Sequence, residues 1–218
     1  MSGHAQALFR SALGRDFERL AEVLQLHYDL APGYAVRVEG EMTTWNRLGP
    51  FYALVPLSPK SGKAHVRMFN RGLLDDHGHI CFEWRREFHF ADAEQSTYTL
   101  TKPVFNGSAS PAGSIESAED APASHHVLDT FVQFPAMAIT LRLEVSQDGQ
   151  TLTQTAAGPQ YAQVGRLRFK IPSLFALRVV AMEQALSNQR IYTEVTISHP
   201  VLGNLFGYSG KLNVICEA

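Results

Sequence analysis

The stretch HICFEWRREFHF, residues 79–90, alternates apolar and polar side chains along most of its length. That period of two predicts a β-strand with Ile80, Phe82, Trp84, Phe88 and Phe90 on one face. Arg86 falls on the same face, which puts a cation in an aromatic wall. Upstream, Ala64 to Leu74 reads as a second strand, joined to the first through DDHGH, residues 75–79. With Gly78 in the left-handed position of a short loop, Asp75 faces His79. Arg71 then meets Glu83, Arg67 meets Glu87 and His65 meets His89 on one face. On the other face Leu74 meets Ile80, Asn70 meets Trp84, Met68 meets Arg86 and Val66 meets Phe88. A slip of one residue would destroy both the charge pairs and the apolar pairs, so the register is specified. The Arg71–Glu83 pair is expected at the surface, where such pairs contribute under about 1 kcal/mol.

An inward arginine needs a partner, because an unpaired buried charge is very costly. A buried carboxylate can supply it, and Glu183 and Asp129 are the first candidates. Alternatively Arg86 lines a polar cavity that holds water or an anionic ligand, or it is exposed through an open sheet face.

The rest of the chain extends this β reading. Tyr34, Val36 and Val38; Phe51, Ala53, Val55 and Leu57; and Val66 and Met68 form alternating sets. So do Ile139 to Val145, Leu167 to Ile171, Ile191 to Ile197 and Phe206 to Val214, while Tyr98 and Leu100 sit between threonines and Val132 and Phe134 border Pro135. Alternation with one wet face implies mainly antiparallel pairing. The expected fold is mainly β, α+β in class, with about ten strands in an antiparallel curved sheet or barrel-like sandwich. A helical segment is expected over residues 4–30, where Leu13, Phe17, Leu20, Leu24 and His27 make one stripe that Gly14 can divide in two. SLFALRVVAMEQALS predicts a short helix near residues 173–186. The chain is expected to be a single domain over residues 1–218, with the β part over 34–216 and a mobile loop over 106–124, which is poor in large apolar residues.

Composition narrows the function classes. The formal net charge is -2, with no basic surplus for nucleic acid and no acidic tail. No apolar run approaches the roughly 20 residues of a membrane span. The N-terminus lacks the continuous apolar stretch of a signal peptide, so a cytoplasmic location is expected, with Cys81 and Cys216 as free thiols.

No GxSxG elbow, HExxH helix, phosphate-binding loop or EF-hand occurs. Among the nine histidines, His77 and His79 form an HxH pair that Asp75 could join, His65 and His89 are cross-strand neighbours, and His125 and His126 are adjacent. None of these offers a third and fourth ligand, so neither a metal nor another cofactor is expected. His199, held extended before Pro200, is expected to cap its loop through a backbone carbonyl, with general-base work as the other reading. His27 reads as a satisfied core histidine, and the Tyr208 hydroxyl needs an internal partner or cavity water.

Three segments carry a resemblance: LHY at residues 26–28, FEWRREF at 82–88 and ISHPVLGNLFGYSGKL at 197–212. Together they resemble the bacterial family known as domain of unknown function 4166, over most of the chain from about Leu8 to Leu212. The resemblance marks His27, Trp84, Arg86, Phe88, His199, Pro200, Gly203, Tyr208 and Gly210, with Glu183 in a variable segment. It implies no catalytic residues. Some members are fused to reductase-like domains or membrane segments; this chain has neither a GxGxxG motif nor an apolar span, so a free-standing version is implied. The Asn106 to Ser124 stretch departs from the pattern.

The leading expectation is a module that binds a small apolar or amphipathic, lipid-like molecule with an anionic head. Its candidate contacts are Arg86, Trp84, Phe82, Phe88, Asn70, Tyr208, His199, Glu183 and His27. One alternative is an accessory domain for a protein partner; the other is an enzyme using Arg86 and His199 with a carboxylate. The enzyme reading is the less favoured, and the oligomeric state is left open.

Overall fold

The computed structural model describes residues 7–48, 58–104, 125–131, 136–164 and 167–216. The expected strand around Phe51 to Leu57, the pair Val132 and Phe134, and the expected loop over 106–124 lie outside the described residues. Among those described, eleven strands follow two short α-helices and a 3-10 turn. The helices are α1 (Leu8–Leu13) and α2 (Glu22–Tyr28), with the 3-10 turn Gly14–Arg19 between them. The strands are β1 (Ala35–Asn46), β2 (Gly62–Leu74), β3 (Ile80–His89), β4 (Glu94–Pro103), β5 (His126–Phe131), β6 (Ala136–Val145), β7 (Thr151–Val164), β8 (Leu167–Lys170), β9 (Arg178–Ser187), β10 (Arg190–His199) and β11 (Gly203–Cys216).

All strand pairings are antiparallel, in the order β6-β5-β4-β3-β2-β1-β11-β10-β9-β7, and β6 also pairs with β7. Ten strands therefore close into a barrel, which leaves no long edge to aggregate. β8 stands outside the ring, paired only with the second half of β7. The outer face carries charges in mid-strand, such as Glu39, Arg67, Arg85 and Glu194, and not the apolar band of a membrane-spanning barrel. No helix among the described residues is long and apolar enough to cross a membrane.

The β2–β3 hairpin has the register deduced from its side chains, from Leu74 opposite Ile80 to His65 opposite His89. Gly78 takes φ 79°, and the Asp75 amide donates to the His79 carbonyl at 2.9 Å, closing the turn. The charges differ in detail. Glu87 pairs with Arg85 at 2.8 Å, its neighbour on the same strand, although Arg67 lies opposite. Glu83 is not at the surface but buried, held by Arg71 at 2.8 Å and by the Tyr98 hydroxyl at 2.7 Å. Burial, and then the bond to Glu83, pushes the Tyr98 phenol up to about 12. Glu83→Ala should therefore cost about 2 kcal/mol, more than a surface pair, because it empties a buried site and removes both a charge-assisted bond to Arg71 and the acceptor of the half-buried Tyr98 hydroxyl. Urea unfolding checks this, and a loss below about 0.5 kcal/mol would return the pair to the surface class.

The expected helix near 173–186 does not form: residues 178–187 are β9, and a turn precedes it. Its Ala, Leu, Met, Glu and Gln favour helix, but β9 is hydrogen-bonded on both sides, to β10 and β7. That ladder outweighs a propensity difference of a few tenths of a kcal/mol per residue.

The N-terminal stripe is buried as a unit: Leu13, Phe17, Leu20, Leu24 and His27 are all at most 3% exposed. Gly14 divides it, at φ 54°. The helices touch β3, β4, β6, β9, β10 and β11, strands from all round the ring, so they cap one end of the barrel. Gly72 lets the chain leave this cap, because a Cβ there would lie 2.1 Å from the Leu30 carbonyl oxygen. A ten-stranded barrel is too wide for its own inward side chains to fill. The helical cap fills one end, and a cavity remains beyond it.

Candidate binding site

The cavity lies inside the barrel, between the helical cap and the opposite mouth. Trp84, Arg86 and Phe88 reach it from β3, Asp129 from β5, Glu183 from β9, Thr193 from β10 and Tyr208 from β11. The cavity volume is about 70 Å³, which exceeds the roughly 10–15 Å³ that one water needs.

Arg86 is the one cation among the described residues that line this cavity, and it is half-buried. No carboxylate oxygen of a described residue lies within 4.0 Å of its nitrogens. Its contacts are a long hydrogen bond from Nη1 to Thr99 Oγ1, 3.5 Å, and the Trp84 ring, 4.9 Å below the guanidinium. The two carboxylates considered as partners do line the same cavity, but each is held elsewhere. Asp129 accepts from Thr101 Oγ1 at 2.9 Å, and Thr101 in turn accepts from Trp84 Nε1 at 2.9 Å. Burial pushes the Asp129 carboxyl up against the pull of Arg86 and Thr101, which favours its neutral form. Glu183 accepts from Thr193 Oγ1 at 3.3 Å and faces His27 Nε2 at 3.2 Å.

Behind the cavity, the cap side carries unsatisfied polar atoms. His27 Nδ1, Asn70 Oδ1 and Glu183 Oε2 are buried without a hydrogen bond. The 3.2 Å approach of His27 to Glu183 is close enough for an ion pair but lacks hydrogen-bond alignment. Burial, the larger influence, and Arg86 push the His27 imidazole down, against the pull of Glu183. Tyr28, also buried, accepts from Gln154 Nε2 at 2.9 Å. Buried polar groups left without partners are rare and call for a physical reason.

The structure thus brings together Arg86, Trp84, Phe88, Tyr208 and Glu183 around the cavity. Phe82, Asn70 and His27 form the layer behind it: Phe82 packs 4.6 Å from Trp84, and Asn70 Nδ2 lies 3.5 Å from His27 Nε2. The Tyr208 ring meets Phe88 edge-on at 5.5 Å. His199 is apart from all of these. It ends β10 and faces the β10–β11 turn, where its Nδ1 accepts from the amides of Val201 and Leu202 at 3.1 and 3.3 Å; it caps amides, not the expected carbonyl. Arg86 and His199 therefore do not share a site.

The inward threonines of β4 were not foreseen. Thr97, Thr99 and Thr101 are buried, while Tyr98 and Leu100 point outward. Arg86 lies opposite Thr97 and Trp84 opposite Thr99, so the polar residues sit where the cation and the indole need them. The spacing of those threonines was the available signal. Of the histidines, His79 is beside Asp75, and His65 pairs with Glu41 at 3.1 Å. Ligand atoms of Glu87, His89 and Glu94 lie within 4.8 Å of one another near the surface, a grouping unforeseen in the sequence. Cys81 is a buried free thiol.

A comparison with curated proteins finds no match. Among solved structures, a "putative thioesterase II" from Thermobifida fusca YX is similar at 10% identity, over 98% of this chain and 88% of that one. Its TM-score of 0.19 carries no argument about fold or activity. The family model described as domain of unknown function (DUF4166) matches residues 105–212. That span takes in the His-Pro turn and Tyr208, and leaves LHY and FEWRREF outside it. Over residues 105–212, close to half of its length, the chain matches the DUF4166 family.

Proposed function

We propose that the barrel binds a compact amphipathic molecule whose anionic head is held by Arg86. The observation that carries this reading is a cation inside the barrel, lining a cavity, with no carboxylate in ion-pair contact among the described residues. Trp84, Phe88, Phe131, Val195 and Ile197 supply an apolar lining for the remainder of the ligand. The unsatisfied atoms of His27, Asn70 and Glu183 suit a second polar group, or water, at the capped end.

The cavity wall also holds two acids, Asp129 and Glu183. Burial favours the neutral form of Asp129, and Glu183 lies on the cap side of the cavity, bonded by Thr193 and 3.2 Å from His27. A fluorescent acyl carboxylate titrated into the protein should bind saturably, and short-chain carboxylates should displace it. Native mass spectrometry of freshly purified protein should show a mass above that of the chain. If carboxylate, sulfonate and phosphate probes all fail to saturate, the reading is wrong.

A further inference from the structure

The mouth opposite the helical cap is a surface of unusual character. Gln160 of β7 faces inward opposite Ile139. Period-two alternation then places Ala162 and Val164 on the same face, along with Phe169 and Leu167, which pair with them. The β7–β8 hairpin therefore carries the inward apolar face past the barrel rim. There Leu167 is 63% exposed and Phe169 50%.

Two turns at the same end add to it. The one before β9 presents Leu174 and Phe175, 56% and 61% exposed, and the β10–β11 turn presents Val201 and Leu202, 67% and 69%. Gln160 Oε1 pins the first turn by accepting from the Leu177 amide at 2.9 Å, and the Phe175 ring lies 6.4 Å from His199 in the second. Single exposed apolar residues are ordinary; six large ones gathered at one end mark an interaction surface.

The charge is equally one-sided. No Asp or Glu occurs between Asp148 and Glu183, whereas Arg166, Arg168, Lys170 and Arg178 do. None occurs between Glu194 and Glu217 either. Arg168 and Lys170 are exposed on β8, and Arg178 is exposed at the start of β9. The acids of this end, Glu87, Asp92 and Glu94, belong to β3, the β3–β4 turn and β4 on the opposite side of the ring; Glu87 is paired with Arg85 and Asp92 with Lys60.

We propose that this mouth docks on an anionic bilayer surface. Leu167, Phe169, Leu174, Phe175, Val201 and Leu202 enter the boundary between headgroups and acyl chains, and Arg168, Lys170 and Arg178 meet lipid phosphates. The apolar side chains project from two turns and a protruding strand, flanked by cations on long flexible stems. That arrangement suits shallow insertion beneath anionic headgroups. The docking does not depend on what the cavity holds.

Co-sedimentation of the full chain with vesicles tests it. The protein should pellet with phosphatidylcholine–phosphatidylglycerol vesicles, far less with phosphatidylcholine alone, and salt should release it. The double variant Leu174→Ser/Phe175→Ser should weaken binding to the anionic vesicles about tenfold or more. Arg168→Glu/Lys170→Glu should do the same. These side chains are exposed, so both variants should keep the thermal unfolding of the parent. Arg86→Met should pellet normally, which separates this proposal from ligand binding inside the barrel. Failure of the parent to pellet with the anionic vesicles overturns the proposal, as does equal pelleting of both rim variants. A dimer in analytical ultracentrifugation that Leu174→Ser/Phe175→Ser dissociates, without vesicle binding, would instead assign the surface to a second copy.

Discussion

Arg86→Met should lower the affinity for an anionic probe roughly 10–150-fold while leaving the ligand-free barrel nearly as stable as before. The affinity range corresponds to about 1.5–3 kcal/mol for hydrogen bonds to a charged group. The small stability effect follows from the arginine's surroundings. Breaking a buried ion pair costs about 3–5 kcal/mol because a charge is stranded. Here no such pair exists among the described residues: Arg86 touches Thr99 at 3.5 Å and lies over Trp84 at 4.9 Å. Methionine keeps the apolar stem over the indole, so a loss below about 2 kcal/mol is expected. Part of that loss should depend on pH. Arg86 pulls the Asp129 carboxyl down, and without it the carboxyl, already raised by burial, rises further. An acid raised in the folded state contributes stability that is present below its unfolded value and lost as pH climbs through the folded one. The variant's deficit should therefore shrink on acidification. Thermal unfolding with and without probe, at neutral and mildly acid pH, separates the outcomes. A collapse in stability with unchanged probe affinity would remove the binding role given to Arg86.

How much of this site was legible can be traced residue by residue. The β2–β3 register was readable because three local signals agreed: a glycine suited to a left-handed turn, opposed charges on one face and apolar pairs on the other. That agreement was enough to aim Arg86 inward. Its surroundings were not readable, because they come from strands distant in sequence. β4 turns its threonines inward and its Tyr98 outward, against the simple rule that apolar residues face the core. The rule fails there because the cavity has polar contents to satisfy.

Closure of the barrel was also beyond local reading. It depends on β7, which pairs with β6 along both of its halves, while its other edge is taken by β9 in the first half and by β8 in the second. The alternation of Leu167 and Phe169 correctly signals a strand, but both residues are exposed. Period reports that two faces differ; it does not report what covers the apolar one. The helical reading of 173–186 failed for a related reason. Propensity is a short-range quantity, and β9 is held by partners on either side.

Phe9→Ala should have the largest effect on stability, a loss of about 3–5 kcal/mol. Phe9 is fully buried, and its ring lies 4.5 Å from Tyr28, 5.1 Å from Phe82 and 6.3 Å from Trp84. It therefore joins α1 both to α2 and to the inward face of β3. Truncation removes a ring from a site enclosed on all sides, and the neighbouring aromatic rings cannot easily collapse to fill it. A loss of that size is a large share of a domain's usual stability of about 5–15 kcal/mol. The consequence for the site is specific. A loosened cap would admit water to His27 and Glu183, whose unsatisfied atoms lie just behind the cavity. Tryptophan emission should shift to the red as Trp84 becomes wetter, and probe affinity should fall even below the unfolding transition. Phe9→Leu, which restores most of the volume, should recover most of both. If Phe9→Ala costs less than about 1 kcal/mol and leaves the emission unchanged, the helical segment is an appendage and the barrel closes that end by other means.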